Sequence, residues 1–112
     1  MELSWRIEDE DGQTRGCQDR PGPLGTVRLL AERIDATGEY SSEEWDCDRR
    51  HGVTEFEIAE GRWGMELVVT CEDGSAAGVL VPDPIVRDVR AGEVVQLNAL
   101  LIVLQDGSCP SL

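Results

Sequence analysis

From Trp63 to Cys71 apolar side chains fall on every second position: Trp63, Met65, Leu67, Val69 and Cys71, with Gly64, Glu66, Val68 and Thr70 between them. Successive side chains of an extended chain point to opposite faces, so this spacing predicts a half-buried strand with one apolar face. Glu60-Gly61 precedes it and Glu72-Asp73-Gly74-Ser75 follows. Both are turn signals, because glycine supplies positive φ and aspartate bonds its own backbone. Upstream, Phe56 and Ile58 sit two apart among Glu55, Glu57 and Glu60, so Val53 to Ser75 reads as a hairpin. A lone hairpin is marginal in water, so the rest of the chain must cover its apolar face.

The remaining sequence supplies more strands. Glu2 to Glu8 places Leu3, Trp5 and Ile7 on one face, and Asp9-Glu10-Asp11-Gly12 forms an acidic turn. Gln13 to Gly25 reads as a long Pro- and Gly-containing loop that needs a staple, and Cys17 lies within it. Thr26 to Asp35 fits two patterns. Val27, Leu29 and Ala31 alternate as in a strand, whereas Leu24, Val27, Leu30, Ala31 and Ile34 trace a helical face. The strand reading agrees with its neighbours.

Ala36 to Glu39 is expected to turn the chain. Tyr40 to Asp48 reads as a polar strand with Trp45 and Cys47 on one face, and Arg49 to Gly52 as a charged turn. Gly78 to Val89 carries Pro82 and Pro84, which predicts an edge strand or one broken by a bend. Ala91-Gly92 turns the chain into Val94 to Leu104, the most apolar run and the expected central strand. Val95, Leu97 and Ala99 alternate there before a nearly continuous stretch, as if buried on both sides or bulged. Seven short strands with regular turn signals predict an all-β sandwich filling residues 1–112 as one domain.

The charge balance narrows the partners. Ten bases, all arginine, face 23 acids for a net charge of −13. Nucleic acid and anionic membrane surfaces repel such a chain. No apolar run approaches the length of a membrane span. The four cysteines include no C-x-x-C pair, and their spacing is too long for a zinc knuckle. Small domains of exported proteins use disulfides to supplement a limited core.

Loop positions favour Cys17–Cys47 and Cys71–Cys109, each contributing about 3 kcal/mol by chain entropy. Four cysteines allow three pairings, however, and the sequence leaves the choice open. The expected setting is secreted, periplasmic or cell-envelope, with Met1 as a start added after the export signal was removed.

Chemistry-bearing residues are sparse. His51 is the single histidine and lies in a loop with no nucleophile elbow; a catalytic reading would need it buried beside Ser41 or Ser42. Glu8 to Asp11, Asp73 and Asp83 offer oxygen ligands for calcium but no EF-hand spacing. Trp5, Trp45 and Trp63 are expected in the core, the alternative being an exposed pair that binds sugar. Arg49-Arg50 is too small a cluster to read as an anion site. The expectation is a chain with no catalytic residues, no metal and no cofactor.

The run Phe56 to Gly78 resembles the hairpin of prealbumin-like and carboxypeptidase-regulatory-like β-sandwich domains. Trp63 matches their aromatic after the turn glycine, and Asp73-Gly74 their following turn. Val89 to Leu97 is similar to the lead into their last strand. The opening Ser4 to Cys17 and the later Glu43 to Cys47 look like exported lipoprotein domains of delta-proteobacteria, which supports the Cys17–Cys47 pairing. The resemblance implies a seven-stranded immunoglobulin-like, transthyretin-like sandwich on the cell envelope. The implied role is a non-enzymatic accessory or interaction module whose partner is an unknown protein or glycan; the alternative is a carbohydrate- or peptide-binding module. It carries over no functional site.

Overall fold

A computed structural model describes residues 1–19, 23–35, 39–54, 59–90, 92, 95–105 and 109. Among them nine strands form: β1 Glu2–Asp9, β2 Thr14–Arg15, β3 Leu24–Arg33, β4 Tyr40–Asp46, β5 His51–Val53, β6 Gly61–Cys71, β7 Val79–Leu80, β8 Ile85–Val89 and β9 Gln96–Leu104. They make two sheets. The first runs β2-β1-β9-β7, with β5 also paired to β1, and the second runs β4-β3-β6-β8. Inward-facing residues of both sheets meet in one core that includes Leu3, Trp5, Ile7, Leu29, Met65 and Ile102. The all-β sandwich arrangement is therefore as the alternation predicts.

The strand list differs from seven for identifiable reasons. The long first loop contains β2, paired to the end of β1. His51 and Gly52, expected in a charged turn, instead form β5 with Val53, paired antiparallel to the start of β1. Gly78 to Val89 divides at its prolines: β7 joins β9 in the first sheet and β8 joins β6 in the second. Proline cannot donate to a ladder, so the chain leaves one sheet there and enters the other. The strand expected from Tyr40 to Asp48 stops at Asp46, where Cys47–Arg49 makes one 3-10 turn. Phe56 and Ile58, the expected first arm of the hairpin, lie outside the described residues. Both edges of Trp63–Met65 are taken, by β3 and β8.

Two bulges explain where the spacing misleads. The β3–β6 register shifts between Leu24 and Thr26, so Leu24 and Val27, three apart, both face the core. An extra residue in one strand reverses the facing phase, and here it imitates a helical interval. In β9 the register against β1 shifts between Leu97 and Ala99. Inward positions are therefore Leu97, Leu100, Ile102 and Leu104, while Ala99, expected inward, is exposed. β9 lies between β1 and β7, and its pairing with β1 is parallel along Glu2–Asp9.

Two disulfides close the structure. Cys17 joins Cys47 and Cys71 joins Cys109, coinciding with the pairs favoured by loop position. All four cysteines are buried. The first bridge ties the loop after β2 to the 3-10 turn after β4. The second ties the end of β6, in one sheet, to the segment beyond β9, in the other. Among the described residues no helix is long and apolar enough to cross a membrane.

Candidate binding site along strand β4

Two open grooves flank β4 near its junction with β5. β4 alternates Tyr40, Ser42, Glu44 and Asp46 outward with Ser41, Glu43 and Trp45 inward. It pairs with β3 in unbroken register from Thr26↔Asp46 to Glu32↔Tyr40. Its other edge faces no strand among the described residues.

The chain crosses from β4 to β5 through the 3-10 turn. Arg50 takes a left-handed conformation at φ 56°, and its amide donates to the Cys47 carbonyl at 3.3 Å. The turn is pinned twice to β1. The Trp5 amide donates to the Arg50 carbonyl at 3.0 Å, and the Trp5 indole Nε1 donates to the Cys47 carbonyl at 2.9 Å.

Trp45 spans the gap between the sheets. Its indole packs against Trp5, ring centroids 6.0 Å apart, and lies on the Gly52 backbone. A Cβ at position 52 would stand 2.5 Å from Trp45 Cε2, so glycine is what lets the ring approach. Above it runs an open groove of about 410 Å³ lined by Glu43, Glu44, Trp45, Arg49, His51, Gly52 and Val53. A second groove, about 470 Å³, flanks the end of β4; Asp46, Asp48, Arg49 and Glu72 line it together with Gln18, Leu24, Gly25 and Thr26. Acids therefore outnumber bases around this strand. Arg28 is already engaged, its guanidinium 2.9 Å from Glu44.

The opposite end of β4 is held by charge. Arg33 donates from Nε to Asp35 at 2.7 Å and from Nη1 to Glu39 at 2.9 Å. The Arg62 amide also donates to Asp35, at 3.1 Å. These donors favour the ionised carboxylate and hold Asp35 below the usual aspartate range, the Arg33 bond being the largest cause. The same two carboxylates raise Arg33.

The residues singled out from the sequence divide clearly. Trp5, Trp45 and Trp63 are all interior, at 2%, 7% and 3% exposure, which leaves no indole face for a sugar. His51 is about half exposed on β5, and its Nε2 lies 2.7 Å from Glu2 Oε1. Ser41 and Ser42 stand on β4, in the other sheet. Asp9 and Asp73 serve their own turns. Asp9 accepts from the Asp11 and Gln13 amides and from Arg15, and the Gln13 amide above all holds it below the ordinary range. Asp73 accepts from the Ser75 amide at 2.9 Å. Among the described residues no three His, Cys, Asp or Glu side chains are placed to hold a metal ion.

Sequence reasoning missed β5 and the terminal position of β4. A usable signal existed in Tyr40 to Asp46, seven residues without Gly or Pro and acidic on both faces. Compared with models of known protein families, with curated proteins and with solved structures, the chain matches none.

Proposed function

We propose that this chain is a non-enzymatic interaction module of an exported lipoprotein, and that it binds a protein partner along β4. The observation that carries the reading is the regular, bulge-free terminal strand beside an open groove lined by Glu43, Glu44, Arg49 and His51. Such an edge presents backbone donors and acceptors to another chain. Two buried disulfides support export, because reducing compartments rarely keep them. A binding role in preference to chemistry is supported by His51, whose Nε2 contacts a carboxylate and not a hydroxyl. A polypeptide is favoured over a glycan because the three indoles are interior. The reading requires no cofactor. Kinship with prealbumin-like, transthyretin-like sandwiches belongs to the same proposal; its support is that Trp63 falls on β6 and Asp73-Gly74 in the turn after it.

A photo-reactive side chain at Ser42, compared with one at exposed Arg6 in the other sheet, tests this in the native host. The expected result is an adduct with a protein from Ser42 that Arg6 does not give. Identical adducts from both positions, or none from either, would overturn the interaction reading. Alkylation of the isolated protein without reductant is expected to add no mass; four additions would overturn the exported setting.

A further inference from the structure

We infer that the partner's docking element is an extended, basic segment that adds to β4 as a fifth strand of the second sheet. This inference rests on the interaction reading above and specifies the chemistry of what binds.

Terminal strands invite pairing with other chains, and proteins blunt them with short length, proline, bulges, lysine or a covering element. The other terminal strands here are blunted in this way. β2, β5 and β7 are two or three residues long. β8 follows directly on Pro84, with Pro82 two residues before that. β4 lacks short length, proline, bulge and lysine, and among the described residues no strand covers its outer edge. It is seven residues long, lacks proline and basic residues, and shows no register shift against β3.

What β4 carries instead is negative charge: Glu43, Glu44 and Asp46 on the strand, Glu44 already ion-paired to Arg28, then Asp48 in the turn beyond. Two copies pairing through β4 would bring these acids together, and like charges directly opposite destabilise a strand pair. A cationic strand reverses the sign of the same terms. The charge therefore selects against a second copy and for a basic occupant.

The two faces refine the pattern. Outward positions of an added strand would neighbour Ser42, Glu44 and Asp46, where arginine or lysine fits. Inward positions would face the groove over Trp45 and Gly52, beside Arg49 and His51, where small uncharged side chains fit. The occupant is thus an extended segment with basic and small residues in alternation, its main chain bonded to β4 and its alternate side chains setting specificity.

Fluorescence anisotropy with the full chain and a labelled peptide of alternating arginine and threonine tests this. Two further peptides are N-methylated on alternate amides, one in each phase, and a fourth has glutamate for arginine. The parent and one methylated phase are expected to bind alike. The other phase and the glutamate peptide should bind about tenfold weaker or less, since one loses the backbone bonds and the other the charge. Asp46→Arg should weaken the parent peptide several-fold without changing the circular dichroism spectrum.

Equal binding of both methylated phases would overturn strand addition, leaving charge alone. No binding of the parent, or self-association through β4 in sedimentation, would overturn it as well. If the peptides fail while the Ser42 cross-link succeeds, the basic-strand inference falls and the interaction reading stands; if both fail, both fall.

Discussion

On one lateral side of the sandwich the chain crosses between sheets at Val81 to Pro84, flanked by the two-residue β7 and the five-residue β8. On the other, β4 and β5 are joined by a 3-10 turn that hangs on Trp5 and on the Cys17–Cys47 bridge. The β7–β8 side ends its sheets with short strands, interrupted between them by Pro82 and Pro84. The β4–β5 side ends one sheet with seven regular residues and relies on carboxylates to keep other chains away. A short strand offers little edge to any partner, whereas charge discourages only partners of its own sign. The difference marks the β4 side as the selective one.

Substitutions on the two sides would break or sharpen this contrast. The largest effect is expected from Trp45→Ala, which empties the space between β4 and β5 and should cost about 3–5 kcal/mol in denaturant unfolding. Ile85→Ala on the other side removes a smaller, partly exposed side chain and should cost less. Equal losses would mean that Trp45 is not what closes the β4 side.

Next comes Cys17→Ser combined with Cys47→Ser. Freeing a loop of 30 residues should cost about 3–4 kcal/mol by chain entropy. Hydrogen exchange should then quicken first in β4 and the 3-10 turn, and uniform quickening across both sheets would sink the assignment of that bridge to one side. Gly52→Ala follows. Its methyl would intrude on the Trp45 ring, and overpacking of this kind costs about 1–3 kcal/mol. A neutral result would show that the indole can move aside.

The smallest effect is a pH dependence. Asp35 and Asp9 have folded-state pKa values below their ordinary ones. Their contribution is therefore complete above the unfolded aspartate range and is lost as pH falls through it, from about pH 4 downward. Asp35 is exposed, so salt should weaken its share of the effect. Asp35→Asn should flatten the acid limb of a stability-versus-pH curve near the Tyr40 end of β4. An unchanged limb would mean the Arg33–Asp35 contact adds nothing in solution.

Legibility followed locality. β6 was readable because alternation, turn glycine and Asp-Gly stop signal all sit within one short run. The tryptophans were readable as interior because each falls in phase with a strand's apolar face. β3 read two ways because a bulge beside Gly25 sets Leu24 and Val27 three apart while both face inward. Ala99 was misplaced for the same reason, since the β9 bulge follows from its register with β1 and not from its own residues. β5 was missed because three residues, one of them glycine, form a strand only when β1 offers an edge. The candidate site was the least legible part. Tyr40 to Asp46 announces a polar strand, and acids on both its faces are the one local sign that it ends a sheet; which strands it neighbours is set by distant residues.

By itself, the amino-acid sequence determined which segments are extended, which side chains seek the interior and how much negative charge the surface must carry. These depend on neighbours one to four positions apart. The tertiary structure alone decided that β1 and β9 run parallel, that the chain switches sheets across Pro82 and Pro84, and that no strand among the described residues pairs with β4's outer edge. Those outcomes depend on which distant backbone meets which, and period-two spacing is compatible with many such pairings until the whole core closes.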